Sequence, residues 1–271
     1  SHRSKEFEAV LARCDELVRE VARLPANYQI LYTHGGAQMQ FAAVPMNLLA
    51  RKPARKAVYC ETGHFSRLGN IEAQRYGNIV IASHSRDSKY DHIPPFNRAM
   101  VNDDASYAYI TSNNTIYGTQ YRELPDMGDM PLVVDATSDI FSRTVDFSKL
   151  GVVFAGMQKN LGPAGTALVI VRDDLVGHAM ERTPSLLDWS TYVKNHSLAN
   201  TNSTFNIYVM SLVMQWLKDE GGTEAMGRIN EEKAQTLYQV IDSSGFYRGT
   251  AHPDHRSRMN ATWVLPNEEL T

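Results

Sequence analysis

Cysteine is scarce in this chain. Only Cys14 and Cys60 occur among 271 residues, with no CxxC pair. That excludes a disulfide-built scaffold and a cysteine-rich zinc site, and it points to a reducing, cytoplasmic setting. A basic excess is lacking too: 27 Lys and Arg stand against 30 Asp and Glu, for a net charge of −3. Nucleic acid is therefore not an expected partner. No apolar run approaches the ~20 residues that span a bilayer, and no signal peptide opens the chain, so no membrane partner is expected. GxGxxG, GxxxxGK[ST], GxSxG and HExxH are all missing, and the nine His are scattered, so no metal site is expected. The chain opens Ser1-His2-Arg3-Ser4-Lys5 without an initiator Met, which reads as a portion of a longer polypeptide.

What is present looks like an ordinary globular protein, 43% hydrophobic and 21% charged. Phe7 to Leu24 carries apolar residues at helical spacing with one buried face. Short apolar runs then alternate with helical segments. Runs at Gln29–Thr33, Ala57–Cys60 and Asn78–Ala82 are separated by helices over Gln38–Leu49 (with Pro45 a kink) and Ser66–Tyr76. The polar stretch Ser83–Ala105 reads as loop. Four more runs follow: Tyr107–Thr111, Pro131–Val134, Gly151–Ala155 and Thr166–Val171. This alternation predicts βα units, a mostly parallel sheet and the α/β class. Ile207–Leu217 predicts a helix stopped by Gly221-Gly222 acting as its C-terminal cap. Thr223 is then expected to cap a further helix with Met226, Ile229, Leu237, Val240 and Ile241 in its buried stripe. Gly221 marks the expected boundary between a domain of residues 1–221 and an incomplete one of residues 222–271, whose first strand is expected at Met259–Leu265.

Three local signals could carry chemistry. Lys159 lies in Gly156-Met157-Gln158-Lys159-Asn160-Leu161-Gly162, between two buried strands; a desolvated lysine there would be a nucleophilic amine. Taken alone, a surface lysine in a turn fits the pattern as well. Asp135 ends the run Leu132-Val133-Val134, where ligands bind in α/β sheets; a helix cap or salt bridge is the plain alternative. His34-Gly35-Gly36-Ala37-Gln38 joins a strand to a helix whose N-terminus favours phosphate, unless it is simply a tight turn. Phe65 could offer an aromatic face to a flat ring, or belong to the core. Together, in this chain order, the signals fit one cofactor: pyridoxal 5′-phosphate on a lysine, with an aspartate at its ring nitrogen.

The same residues carry a family resemblance. With Asn113-Asn114-Thr115-Ile116-Tyr117-Gly118, Asp135-Ala136-Thr137-Ser138-Asp139-Ile140, the lysine motif through Gly165, Asn200-Thr201 and Arg256-Ser257-Arg258-Met259-Asn260, the chain resembles the phosphoserine aminotransferases over essentially its whole length. These are class-V, fold-type-I pyridoxal-phosphate enzymes. The resemblance implies an α/β large domain with a seven-stranded, mostly parallel sheet flanked by helices, and the start of a small α+β domain. It implies amino transfer between glutamate and 3-phosphohydroxypyruvate in serine biosynthesis, and in many bacterial members a further step of vitamin B6 (pyridoxine) biosynthesis. It makes Lys159 the Schiff-base lysine and proton shuttle, with Asp135 on the ring nitrogen. Gln158 and Thr115 would contact the cofactor, Phe65 would stack on it, and the Ala37 and Gln38 N–H groups would hold its phosphate. Asn200 and Thr201 would reach that phosphate from the partner subunit of a homodimer. His2 and Arg3 would grip the substrate's anionic groups.

Some positions depart from the family pattern. Phe65 stands where Trp is frequent, Ala37-Gln38 where Gly-Arg or Ala-Ser occur, and the paired prolines after Asn200-Thr201 are missing. The family extends roughly 40 residues further at the N-terminus and carries a substrate-binding Arg and His beyond the C-terminus. Another fold-type-I aminotransferase or lyase, or an inactive truncated form, is the alternative reading.

Overall fold

The structure is a computed structural model that describes residues 1–267. Its framework is a sheet of seven strands: β1 (Tyr28–His34), β2 (Lys56–Glu61), β3 (Asn78–His84), β4 (Ala105–Thr111), β7 (Leu132–Asp135), β8 (Val152–Gly156) and β9 (Thr166–Arg172). Two short strands, β5 (Asn113–Asn114) and β6 (Thr119–Gln120), form a hairpin between β4 and β7. The order across the sheet is β1-β9-β8-β7-β4-β2-β3, and β9 alone runs against its neighbours.

Both faces are covered, which is why the central strands read as unbroken apolar runs. Alternate residues feed two cores. Val58, Ile110, Val134, Val153 and Ile170 face α1 (Lys5–Ala22) and α6 (Thr204–Asp219). Tyr59, Tyr109, Val133, Phe154 and Val169 face α2 (Gly36–Leu48), α3 (His64–Ala73) and α5 (Trp189–Lys194). The N-terminal helix forms because its apolar positions share one stripe and its ends are capped: the Ser4 hydroxyl accepts from the Phe7 N–H, and Arg23 closes the other end in the left-handed region. Pro45 is accommodated in the closing turn of α2, which continues to Leu48. Ser83–Ala105 is loop with two single-turn 3₁₀ segments, at Arg86–Ser88 and Arg98–Met100, although its first residues extend β3.

Three expectations need correction. Thr223 does not cap α7 (Gly222–Ser243): the left-handed Gly221, at φ +94°, closes α6 as expected by donating its N–H to the Lys218 carbonyl and is at the same time the N-cap of α7, so Thr223 lies inside that helix, its hydroxyl paired with Thr144. The α7 stripe is buried only at Ile241, while Leu237 and Val240 are exposed, because α1 and α6 pack on α7 only in part. Met259–Leu265 is not one strand: only β11 (Trp263–Val264) pairs, antiparallel to β10 (Arg248–Gly249). Polar side chains, described below, hold the rest of that segment instead. Cys14 and Cys60 are free and buried, and burial pushes their thiols up to about 12 and about 11. Among the described residues no helix is long and apolar enough to cross a membrane, and no cluster of three or more His, Cys, Asp or Glu is placed to hold a metal.

Candidate active site

A cavity of about 300 Å³ opens at the carboxyl ends of the parallel strands, where an α/β sheet offers strand-end loops and helix N-termini. Gly35, Gly36, Ala37, Gln38, Phe65, Thr115, Asp135, Gln158 and Lys159 all line it. The structure thus gathers in one place residues spread over more than 120 positions of sequence.

The loop before α2 forms one wall. Gly35 sits at φ +82° and Gly36 at φ +63°, conformations that favour glycine. A β-carbon on Gly35 would also lie 2.7 Å from Met39 Cβ. The Gly35 N–H donates to the Gly165 carbonyl at 3.0 Å, which ties this wall to the loop after the lysine. No side chain caps α2, and its first turn holds no acid. Its leading N–H groups and the positive end of its dipole are therefore open to an anion. On the other side, Gly156 brings the lysine segment close: a β-carbon there would sit 2.6 Å from Gln158 Oε1 and 3.1 Å from the Ala37 nitrogen.

Asp135 forms the floor. It is the last residue of β7 and 3% exposed. Its Oδ1 accepts both the Thr137 N–H (3.0 Å) and the Thr137 hydroxyl (2.6 Å). Burial pushes its carboxyl up to about 6; the two Thr137 bonds pull the other way, and the charge of Asp139 adds to the rise. A buried carboxylate with an oxygen left over and, among the described residues, no cation paired with it suits a cationic ligand group better than a structural salt bridge. Asp139, one turn on, differs: its oxygens accept from the Ser112 hydroxyl and from Gln120 Nε2.

Lys159 lies in α4 (Met157–Asn160), a single turn pinned by the Asn160 side chain, which donates to the Ile140 carbonyl at 2.7 Å. The expected desolvated lysine is not what the single chain shows: Lys159 and Gln158 are exposed on the rim, because α4 lies at the mouth of the cavity rather than beneath it. Phe65 and Thr115 are half-buried in the wall.

His2, Arg3, Asn200 and Thr201 do not line this cavity. His2 is half-buried and Arg3 exposed at the start of the chain. Asn200 Nδ2 lies 3.0 Å from His34 Nε2, and Thr201 is exposed beside it. Asn202 anchors that loop to the Tyr32 and Ser197 carbonyls. Asn113, Thr137 and Ser138 also line the cavity and were missed. The pattern Asp-Ala-Thr at a strand end, an Asx-turn signature, could have flagged Thr137.

Comparison with known proteins agrees with this geometry. The Aminotransferase class-V family model matches residues 1–265. Phosphoserine aminotransferase from Desulfotalea psychrophila is 47% identical over 270 residues, covering all of this chain and 74% of its own length. A phosphoserine aminotransferase structure determined to follow radiation damage of its Schiff base superposes with a TM-score of 0.96 at 44% identity, covering all of this chain and 75% of that one. The pyridoxal-phosphate-bound phosphoserine aminotransferase of Trichomonas vaginalis gives 0.92 at 31% identity, covering all of this chain and 76% of its own. The chain belongs to the class-V aminotransferase family, pyridoxal-phosphate enzymes, and groups there with the phosphoserine aminotransferases.

Proposed function

We propose that the chain transfers an amino group reversibly between glutamate and 3-phosphohydroxypyruvate, giving 2-oxoglutarate and phosphoserine. It would work as a cytoplasmic homodimer, and the phosphorylated four-carbon analogue of vitamin B6 biosynthesis would be a second substrate. One observation carries the reading: a buried carboxylate with, among the described residues, no cation paired with it faces an uncapped helix N-terminus across a cavity that has a lysine at its mouth. That combination fits pyridoxal 5′-phosphate at both ends of the molecule, the ring nitrogen at Asp135 and the phosphate at α2.

When bound, the cofactor supplies an electron sink for the carbon that loses its proton. The protein's own groups do the rest. Ala37 and Gln38 would hold the phosphate through backbone N–H groups, aided by the helix dipole. Asp135 would hold a proton at the ring nitrogen through its buried carboxylate. Thr137 fixes the carboxylate's direction. Phe65 would offer its aromatic face to the cofactor, and Thr115 and Gln158 would help hold it. Lys159 Nζ would hold the cofactor and would serve as the base and acid that moves the α-proton of the amino acid. Asn200 and Thr201 complete the phosphate site of a second copy, and His2 and Arg3 hold substrate anionic groups; their exclusion from this chain's own cavity supports roles across an interface. Residues 1–221 form the cofactor domain and 222–271 the beginning of a second one.

The test is a coupled phosphoserine/2-oxoglutarate assay with an absorbance scan. Transamination accompanied by a visible cofactor band is expected. A chain that holds the cofactor yet transfers nothing from glutamate or phosphoserine would overturn the reading.

A further inference from the structure

The hairpin formed by β5 and β6 has the cavity on one side and residues 256–262 on the other. Asn113 and Thr115 line the cavity from it. On the far side it is fastened residue by residue. The Asn260 side chain donates to the Thr115 carbonyl (2.9 Å), and its Oδ1 accepts from Asn113 Nδ2 (3.0 Å). The Ser257 hydroxyl, on a residue only 1% exposed, donates to Asn113 Oδ1 (2.5 Å) and accepts the N–H groups of Met259 and Asn260. The Ser257 N–H reaches the Gly118 carbonyl, and the Thr262 hydroxyl reaches that of Tyr117.

We propose that Asn260 and Ser257 are positioning residues of the transamination site. Their side chains form a clasp that sets where Asn113 and Thr115 stand in the cavity wall. Three points support this. The Asn113 amide is satisfied on both its oxygen and its nitrogen, by Ser257 and by Asn260 and Ser138, so its orientation is fixed from behind. Ser138, another lining residue, is tied to the same amide, so one clasp governs three wall positions. The polar bonds also explain why Met259–Leu265 fails to form a continuous strand: the Met259 and Asn260 N–H groups are spent on the Ser257 hydroxyl. The clasp places the active-site wall under the control of a segment that does not itself line the cavity. A misplacement of order 1 Å at such a wall is expensive to catalysis.

This inference rests on the aminotransferase reading above, and the experiment separates the two. Cofactor affinity, visible circular dichroism of the bound cofactor, kcat and KM are measured for the parent chain, Asn260→Ala, Asn260→Asp and Ser257→Ala, with thermal unfolding of each as a control. Asn260→Asp keeps the acceptor for Asn113 but replaces the donor to Thr115 with a repelling oxygen. Cofactor affinity and kcat are expected to fall about 10–100-fold, the scale of outer hydrogen bonds that orient a bound group, with an altered dichroic band and little change in KM. An Asn113→Ala, Asn260→Ala double variant is expected to lose little more than either single one. Variants that unfold earlier yet keep the parent's band, affinity and kcat would make the clasp merely structural and overturn the inference, as would failure of all three single variants to fold. A parent chain without cofactor band or transamination would overturn the functional reading, and this inference with it.

Discussion

Asp135 closes the floor of the cavity at 3% exposure, held by two bonds from Thr137, whereas Lys159 stands on the rim, open to solvent. The proposed reaction uses both groups, but the fold treats them differently. The floor is built before any ligand arrives, and folding bears the cost of burying a carboxylate there. The rim lysine costs folding almost nothing and depends on what binds to give it a role. Substitutions at the floor should therefore register in stability and pH dependence as well as rate, and substitutions at the rim in rate alone.

The largest effect should come from the rim. Lys159→Ala is expected to remove transamination and the visible cofactor band, a loss at least as large as the about 10²–10⁴-fold typical of a single acid–base group. Its stability should stay within about 0.5 kcal/mol of the parent, as for most exposed positions. A band that survives dialysis would remove Lys159 from its role.

At the floor, Asp135→Asn is expected to slow turnover by the equivalent of about 2–5 kcal/mol, the usual cost of removing one member of a buried charge pair. In the cofactor-free protein the same change should do the opposite to stability. The native carboxyl titrates near 6, above its ordinary 3.8. Well below pH 3.8 both native and unfolded chains hold the proton and there is no penalty. As pH rises from about 4 to 6 the unfolded chain ionises while the native carboxyl keeps its proton, and once pH has passed through 6 about 3 kcal/mol of stability is lost. Asn never ionises, so the variant should be the more stable protein at pH 8 and show no such gain well below pH 3.8. Parallel pH–stability curves for the two proteins would break the contrast between floor and rim.

Thr137→Val is a finer probe. It deletes the hydroxyl at 2.6 Å but leaves the backbone N–H in place. It should cost roughly 1–3 kcal/mol, because the hydroxyl also accepts the Gly156 N–H. The acid limb of the activity profile should move to higher pH, since one bond favouring the ionised form is gone. An unmoved limb would show that Thr137 only shapes the turn. Smallest of all, Phe65→Trp should tighten cofactor binding by about 0.5–1.5 kcal/mol, the added value of a larger aromatic face; titration of the cofactor-free protein would show it.

The sequence made the central sheet legible because strands covered on both faces appear as apolar runs, and β7, β8 and β9 stand almost where those runs lie. The lysine, aspartate and glycine-loop residues were legible through their order along the chain. What was not legible depends on distant partners. The Ser112 and Gln120 bonds to Asp139 join residues 27 and 19 positions apart with no periodic signature. Thr223 looked like a helix cap, but the left-handed Gly221 starts α7 earlier. The exposure of Lys159 follows from where α4 meets the cavity mouth, and its local motif says nothing about that.

The place of β9 has a consequence for the chain during its synthesis. Among the strands of the sheet, β1 bonds only to β9, and Gly35, just beyond β1, bonds to Gly165, just before β9. At ribosomal speeds of about 5–20 residues per second, residues 28–34 wait on the order of 7–26 seconds for residues 166–172 to emerge. During that interval β1 is an unpaired, largely apolar ribbon, and the first wall of the cavity has nothing to lean on. The loop before α2 thus gains its support from β9 and Gly165 only after Lys159 has been made.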